Sequence, residues 1–556
     1  MSNAVEKVAE GKDKLFNFRP AFFTAVFLIF GIVFGYYRII HGVSLWWLLF
    51  LVPILVAPLF FSRKKRDLWV RTLVLGLMVC TFLLGFVCVR YQLYDYKRCG
   101  YYNGEHTVTG TVVSYVDQGG SYRLVLKDIN VDGKEEKGRL NAYLPSSYVE
   151  SVHIADIVVI QGVVQTDTEY YKDSFRASAI NDKQRFFMQD VTEYQQAGRS
   201  KDVFLLVRDH VEQVVCKGMD ETAAAVTLGV LTGDTTKIEG GLLDNMRMGG
   251  IAHIFAVSGL HVGAMYAFIT LLFTKTRLKK ASGVFQFFIL AAVLLFYAGI
   301  CGFSPSILRA TTLCLVGFCM RRLGGASDSL NTLGVAAIII LLFTPCALFE
   351  IGFQLSFTAC LGIVLFAKRI GYVCDECQKR FREIFPRRYT EDEKKMLENG
   401  DTLPLTMGER CFQAVRSLLS ASLAAQILTA PLQYMAFGYL SGWSFLLNLI
   451  FVPIISAVFA FLLLVVVLAC ILPLGWSTYV LYLPAMLFNG ALLMFEVADF
   501  SSFALTGMQV SGGSCVCYYG GVIFLTDKWN VTKRQRNFLS MVCFTAFFVI
   551  LALLNV

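Results

Sequence analysis

Long apolar runs separated by short polar segments make up most of the chain, for example residues 22–37, 330–349 and 445–472. A helix of about 20 apolar residues is long enough to cross the ~30 Å hydrocarbon layer of a bilayer. The pattern therefore predicts a mainly α polytopic membrane protein with about 11–13 transmembrane helices and one small β domain.

The first three predicted spans are residues 21–40, 45–61 and 68–91, within a segment of three transmembrane helices at 21–92. Basic residues 63–66 lie between the second and third spans, and short basic loops favour the cytoplasmic side. We therefore expect residues 1–20 to be a cytoplasmic N-terminus and the segment after the third span to lie outside. No signal-peptide cleavage site follows the first apolar run, so we expect that run to remain as an anchor.

Residues 101–198 form the only polar stretch with the alternating pattern of β-strands, and turn signals occur at 117–120 and at Asp132-Gly133. Five strands are predicted, at 107–116, 122–129, 140–144, 157–164 and 175–180. Five short strands fit a small extracytoplasmic five-stranded OB-type β-barrel domain, although another five-stranded barrel would share the pattern.

The rest of the chain divides into two parts. Within residues 200–250, segments 203–215 and 222–231 look like amphipathic helices outside the membrane. Residues 251–556 carry about ten further hydrophobic segments, interrupted by basic clusters that alternate consistently if all of them face the cytoplasm. On this topology residues 372–410 are a cytoplasmic loop and the C-terminus lies outside.

Composition excludes a soluble protein, because only 16% of residues are charged and 56% are hydrophobic, against roughly 25% charged in soluble domains. The net charge of +9 would suit a nucleic-acid partner, but in a membrane protein an excess of Lys and Arg first indicates which loops face the cytoplasm. Most of the 16 cysteines lie in apolar runs, and Cys374 and Cys377 form a C-x-x-C pair in the predicted loop without a second pair. We therefore expect no metal site, no cofactor and no disulfide framework.

The most informative stretch is residues 253–263, HIFAVSGLHVG, because it places two histidines and a serine in an apolar segment. Such side chains are costly in a membrane unless they face a cavity or a partner. On one continuous helix His253 and His261 lie about 80° apart with Ser258 beyond, while Gly259 and Gly263 offer a packing face opposite. A helix break at Ser258-Gly259 is the alternative. Interhelical hydrogen bonding without further function also remains open.

A second stretch, residues 302–309, has the features of a helix start with a cation one turn inside. Ser304 is a suitable N-cap, Pro305 a suitable first residue, and Arg309 follows. A helix N-terminus beside a guanidinium favours anions. The alternative is an ion pair between Arg309 and an acidic neighbour such as Glu350.

Polar residues recur at intervals in the later apolar segments. Each would ordinarily be a hydrogen-bonded packing residue, but together with His253, His261 and Arg309 they predict a hydrated path entered from outside. These further lining residues are Gln354, Gln426, Gln433 and Asn448.

On these residues the chain resembles the ComEC competence-channel family, which carries transforming DNA across the bacterial cytoplasmic membrane. The matching stretches, in order, are LTGD at 231–234, HIFAVSGLHVG at 253–263, GFSPSILRA at 302–310, GFQLSF at 352–357 and SLAAQ at 422–426, with Asn448 and Pro453 beyond. The resemblance implies that residues 251–556 form a channel core for single-stranded DNA and that the OB-type domain lies outside, close to the incoming strand.

The resemblance also has implications for nuclease activity, for the energy source of transport and for the partners of the chain. Many members carry a C-terminal metallo-β-lactamase-like domain, but the six histidines here include no H-x-H cluster, so we expect no nuclease and no catalytic residues in this form. No P-loop sequence occurs, so the energy must come from a cytoplasmic motor or the proton gradient. The implied partners are single-stranded DNA, an extracytoplasmic DNA receptor, cytoplasmic single-strand-binding proteins and the lipid bilayer.

The net charge of the predicted β domain argues against a DNA-binding surface, whereas a few of its residues argue for one. Residues 105–190 contain 9 Lys and Arg against 13 Asp and Glu, whereas single-strand binders usually present a basic groove with stacking aromatics. A local patch for DNA contact is nevertheless predicted, and a structural or docking role is the alternative. The patch residues are Tyr122, Arg123, Lys127, Arg139 and Tyr143.

Two other functions remain open on the sequence. A proton-coupled small-molecule transporter would use His253 and His261 as a relay, and a membrane enzyme would use Asp234 with the histidines. Neither alternative explains the ordered motifs.

Overall fold

The structure is a computed structural model. It describes residues 19–44, 65–98, 100–117, 121–145, 152–166, 180–181, 183–238, 240–250, 258–322, 328–384, 406–472, 504–507, 509–525 and 533–554, with short pieces between 476 and 486. The second predicted span (45–61), His253 and the middle of the predicted loop at 372–410 lie outside the described residues.

Two helices before the sheet, α1 (Pro20–His41) and α2 (Lys65–Lys97), pack side by side through glycines. A Cβ on Gly85 would overlap the carbonyl oxygen of Leu28, and one on Gly31 would overlap the carbonyl oxygen of Phe82. Small residues at such positions let two helix backbones approach closely, which favours helix association in a membrane.

Six strands form the β domain: β1 (Asn103–Asp117), β2 (Ser121–Val131), β3 (Lys134–Glu136), β4 (Arg139–Pro145), β5 (Asp156–Thr166) and β6 (Gln184–Arg199). The sheet order is β1-β5-β6-β4-β2-β3, and β1 also pairs with β2. The pairings therefore run through five strands and return to β1. The β4–β6 pairing is parallel and the others are antiparallel.

The fifth predicted strand, 175–180, lies outside the described residues except for Ile180, which is helical. The last described strand of this sheet, β6, was not predicted. The second half of β6 is mostly exposed, so its sequence lacks the apolar alternation that marks a half-buried strand. The other four predicted strands lie within β1, β2, β4 and β5, whose inward residues form one apolar cluster that includes Val108, Leu124 and Ile160.

Three helices connect the sheet to the later part of the chain: α3 (Val203–Gly218), α4 (Glu221–Thr232) and α5 (Gly240–Met248). Asp202 caps α3 and Asp220 caps α4 through bonds to backbone N–H groups. The prediction that residues 222–231 form an amphipathic helix was wrong, because residues 223–232 are all buried. A helix that is apolar on every side lies inside a packed structure.

Three of the later helices, α6, α8 and α10, begin near one another in space, and each begins directly after a polar residue. The elements are α6 (Gly259–Lys275), a 3₁₀ turn (Arg277–Lys280), α7 (Gly283–Ile300), α8 (Pro305–Arg322), α9 (Ser329–Phe343), a second 3₁₀ turn (Pro345–Phe349), α10 (Ile351–Ile384), α11 (Met407–Phe437), β7 (Tyr439–Ser441), α12 (Ser444–Ile471), β8 (Ala504–Thr506), α13 (Gly512–Leu525) and α14 (Lys533–Leu554).

Six helices in the described part of the chain, α1, α2, α7, α10, α11 and α12, are long and apolar enough to cross a membrane. This is fewer than the 11–13 predicted spans. Three further apolar helices, α4, α6 and α9, have 12, 17 and 15 residues, and α14 is apolar from Gln535 to Ile550.

The predicted loop at 372–410 is partly helical, which corrects its sequence interpretation. Residues 372–384 continue α10, and α11 begins at Met407. Asp375 of α10 and Arg416 of α11 form an ion pair, so the two helices stay together at this end. Cys374 and Cys377 therefore lie on a helix instead of a loop, and the described residues contain no group of three potential metal ligands.

Replacing Gly85 by valine is expected to destabilise the α1–α2 pair, because the new side chain would overlap the backbone of α1. Overpacking of this kind costs about 1–3 kcal/mol. Thermal unfolding of the purified protein in detergent measures the effect. Gly76→Val is the matched control on the same helix, since nothing in the described part lies within 4 Å of a Cβ there. Equal melting temperatures for the two variants would contradict the packing.

Candidate functional site

The first turns of three helices meet at one place. A Cβ on Gly259, the first residue of α6, would lie 3.6 Å from Cβ of Ala310 in α8. A Cβ on Gly352, at the start of α10, would lie 3.3 Å from Nη2 of Arg309. The N-terminus of a helix carries a partial positive charge and free N–H groups. Together these three helix ends and the guanidinium form an electropositive junction, and the Glu350 carboxylate, which directly precedes α10, attracts the guanidinium.

Arg309 is the charged residue of this junction. It lies one turn inside α8 and is only 5% exposed. No ion pair within 4.0 Å joins it to Glu350 or to any other described carboxylate, and its Nε has no hydrogen-bond acceptor. Glu350 instead accepts a bond of 2.6 Å from Asn181, which itself accepts one of 2.7 Å from Gln92. Glu350 still attracts the Arg309 guanidinium, but the two side chains form no ion pair within 4.0 Å.

Ser258 and His261 act together at the start of α6. The Ser258 hydroxyl accepts a bond of 3.3 Å from the N–H of Leu260, and Nδ1 of His261 accepts one of 3.0 Å from the N–H of Ser258. This is a capping box, so the helix begins at Gly259 and the alternative of a break at Ser258-Gly259 is correct. His261 is fully buried, and its ring packs edge-on against Phe459 at 4.6 Å.

The glycine packing face predicted on this helix is only half present. Gly259 lies against α8, but no described atom lies within 4 Å of a Cβ on Gly263. Both glycines belong to α6 and lie one turn apart, but only Gly259 makes a close approach to another described helix.

The remaining predicted lining residues are not gathered into one cluster. Gln354 donates to the carbonyl of Leu348 at 3.0 Å, and Gln426 donates to Gln433 at 3.2 Å within α11. Asn448 lies in the first part of α12 with a buried Oδ1 that accepts no bond.

The predicted DNA patch on the sheet is divided among several environments. Arg123 of β2 stands opposite Tyr143 of β4, so both side chains share one face. Tyr122 is one residue away and points with Leu124 toward the opposite face. Arg139 pairs in register with Gln184. Lys127, four residues after Arg123 on β2, forms an ion pair through its Nζ with Asp202, the N-cap of α3.

At the far ends of α6 and α8 a second basic group collects. A Cβ on Gly283 would lie 3.5 Å from Cδ of Arg322, and Gln286, which accepts a bond from Arg322, donates to the carbonyl of Leu278 at 2.8 Å. All members are exposed, and none forms an ion pair with a described carboxylate. They are Lys275, Arg277, Lys279, Lys280, Arg321 and Arg322.

Sequence reasoning missed a set of buried charges on α3. Arg208 donates to Asp234 at 2.8 Å, and both residues are at most 8% exposed. Glu212 pairs with Lys237 and accepts a bond of 2.7 Å from Tyr115 of β1. The signal was the occurrence of charged residues at spacings of three and four in an otherwise apolar helix, which places them on the buried side.

These contacts shift the pKa values of the groups involved. Burial, followed by the nearby Glu212 carboxylate, raises the pKa of Tyr115 to about 12. Burial alone would lower the pKa of Lys237, but attraction to Glu212 outweighs it and the pKa is raised. For Asp202, burial is the largest single influence and opposes the charge, but the bond and charge of Lys127 together with the N–H bonds from Phe204 and Leu205 outweigh it, and the pKa is lowered.

Comparison with known proteins assigns the later half of the chain. The model of the Competence protein family matches residues 230–532, which is more than half of the 556 residues. The chain belongs to the competence protein (ComEC) family. The matched segment contains the junction around Arg309, the His261 cap and Asp234. The six long apolar helices and the family membership together fit a multi-pass membrane protein.

Relatives of this competence family member are similar over limited segments. The ComE operon protein 3 of Bacillus subtilis (strain 168) is 30% identical over 164 residues, which are 29% of this chain and 20% of that protein. The uncharacterized protein MG316 of Mycoplasma genitalium is 26% identical over 255 residues, 46% of this chain and 54% of that protein. The chain thus spans between a fifth and about half of the length of these relatives. No solved structure matches it significantly.

The contact between the sheet and α3 of this competence protein is expected to weaken at both extremes of pH. The lowered pKa of Asp202 gives stability that is complete above the unfolded value of 3.8 and is lost as the pH falls through the folded value. The raised pKa of Lys237 gives stability that is complete below 10.5 and is lost as the pH rises through its folded value.

Amide exchange of α3 in the purified protein, measured against pH, tests this expectation. In the Asp202→Asn variant, the loss of α3 protection at acid pH (the acid limb) should become smaller, whereas the loss at alkaline pH should remain. An acid limb of unchanged size in that variant would show that the Lys127–Asp202 pair is not its cause.

Proposed function

We propose that this protein is a channel that translocates single-stranded DNA across the bacterial cytoplasmic membrane during natural transformation. Family membership supports DNA uptake as the process. The observation that carries the channel itself is Arg309, a buried cation one turn inside α8 that Glu350 attracts but does not approach to within ion-pair distance, and whose Nε has no described hydrogen-bond acceptor. A buried charge that is not fully paired is costly, and an anionic substrate would compensate it.

The physical problem is the charge of the strand. Each phosphate would cost many kcal/mol in hydrocarbon, so a polyanion needs a polar route. The electropositive junction stands at one end of α6 and α8, and the exposed basic group stands at the other. Because α6 is 17 residues long, the two are separated by roughly 25 Å, close to the hydrocarbon thickness. In the proposal the junction receives the strand outside and the basic group meets it inside.

The individual roles follow from the contacts. Arg309 binds phosphate, and the lining role of Gln354, Gln426 and Asn448 remains part of the proposal, as does that of His253, which lies outside the described residues. Ser258 and His261 fix the start of α6 through their capping bonds. We assign His261 this positioning role because its ring is fully buried.

The sheet domain is proposed to be a five-stranded OB-type barrel on the outer side of the membrane. The closed series of pairings with one parallel pair supports the barrel. Basic residues between the predicted spans support the orientation with the N-terminus inside. The proposed partners are an extracytoplasmic DNA receptor and a cytoplasmic motor or single-strand-binding proteins.

Replacing Arg309 by methionine is expected to abolish DNA uptake while leaving membrane insertion intact. Loss of a buried charge contact costs about 2–5 kcal/mol, which is a reduction of at least roughly 30-fold. Uptake of labelled DNA into the cytosol of a deletion strain carrying the variant measures this, with protein in the membrane fraction quantified alongside.

Arg247→Met is the matched control, because Arg247 forms an exposed ion pair with Asp244 on α5. Wild-type uptake by the Arg309 variant would remove this residue from the proposal. Normal uptake by the deletion strain itself, with transport of a defined solute by the reconstituted protein, would favour a proton-coupled transporter instead.

A further inference from the structure

Helix α3 lies between the sheet and the membrane helices, and its two faces have different neighbours. Toward the sheet, Leu205 packs in one apolar cluster with Val113 of β1 and Ile154. Four and seven residues further on, Asp209 pairs with Arg199 at the end of β6, and Glu212 accepts the hydroxyl of Tyr115. These spacings define one side of a helix.

The other side of α3 contacts the turn between α7 and α8. The ring of Phe204 occupies the space that a Cβ on Gly299 would need, and it packs edge-on against Phe303 at 5.6 Å. One helical turn later, Nη1 of Arg208 lies 3.9 Å from the position of a Cβ on Gly302. Asp234 holds this guanidinium in place through the buried ion pair.

The turn itself needs support, because two successive residues adopt left-handed backbone angles. Gly302 has φ of +67° and Phe303 has φ of +52°. The second value is uncommon for an aromatic residue and persists only where the surroundings impose it. Tyr297, just before the turn, donates to the carbonyl of Leu231 at 2.9 Å. Leu231 lies three residues before Asp234 in the sequence.

The turn determines where α8 begins and therefore where Arg309 stands. The N–H of Leu308 donates to the carbonyl of Ser304 at 3.0 Å, so the first turn of α8 is built directly on the residue after Phe303. A displacement of this turn moves Arg309 relative to Gly352.

We propose that α3 is a positioning element that sets the location of Arg309 according to the position of the sheet domain. Arg208 and Phe204 are positioning residues, and the Lys127–Asp202 ion pair connects β2 to the start of α3. The functional consequence rests on the proposed channel function, whereas the mechanical coupling does not. Binding of a ligand to the sheet would thereby reach the junction without direct contact.

Hydrogen exchange of residues 298–308 in the purified full-length protein tests the coupling without DNA. The double variant Arg208→Met with Asp234→Asn removes both buried charges together, so neither is left uncompensated. Its amides in this segment are expected to exchange about tenfold faster than in the wild type, through local opening. Arg208→Lys, which keeps the ion pair, should restore most of the protection.

The matched control removes an exposed ion pair of the same composition, through Arg247→Met with Asp244→Asn. It should leave exchange of residues 298–308 unchanged. For the sheet arm, Lys127→Met should loosen the same segment, whereas Lys134→Met should not, since Lys134 pairs with Glu136 within the sheet. Unchanged exchange in both the buried double variant and Lys127→Met would overturn the proposal.

DNA uptake provides the second readout. The buried double variant and Lys127→Met should raise the DNA concentration that gives half-maximal uptake severalfold while membrane levels stay normal. A change in exchange with no change in this concentration would reject the positioning of Arg309. Faster exchange in a protein whose deletion leaves DNA uptake intact would reject the channel function and leave the coupling standing.

Discussion

The cost of a buried charge is the constraint on which the rest of this structure depends. Arg208 and Asp234 satisfy it by pairing with each other, and Glu212 satisfies it with Lys237 and Tyr115. Arg309 is different, because it is equally buried and Glu350 attracts it without coming within ion-pair distance. The same physical rule thus assigns a structural role to the two paired groups, Arg208–Asp234 and Glu212–Lys237. It points to Arg309 as a place for an anion.

Sequence periodicity predicted the elements whose burial is one-sided. The strands β1, β2, β4 and β5 alternate between core and surface, so their pattern identified them. The sequence pattern missed strand β6 and misjudged helix α4 for opposite reasons. Half of β6 is exposed, whereas α4 is buried on all sides. In neither case does the sequence contain the two-sided contrast on which such prediction relies.

The candidate site was predictable where its chemistry is local. Ser304, Pro305 and Arg309 lie within six residues, so capping rules were sufficient to find the helix start and its cation. The Ser258–His261 capping box is equally local, but its polar residues were interpreted as pore-facing because their cost in a membrane was considered before their bonds to the backbone. Arg208 and Asp234 are 26 residues apart in sequence, and no periodicity connects them.

The ion pair between Arg208 and Asp234 also crosses the boundary of the family match. Asp234 belongs to the matched segment that begins at residue 230, whereas Arg208 and the sheet precede it. In this chain the buried Asp234 carboxylate takes its cation from outside the matched segment and accepts further bonds from Thr236 inside it. Under the proposal that α3 positions Arg309, the strained turn before Arg309 depends on Arg208, a residue outside the matched segment, so α3 acts together with the membrane helices.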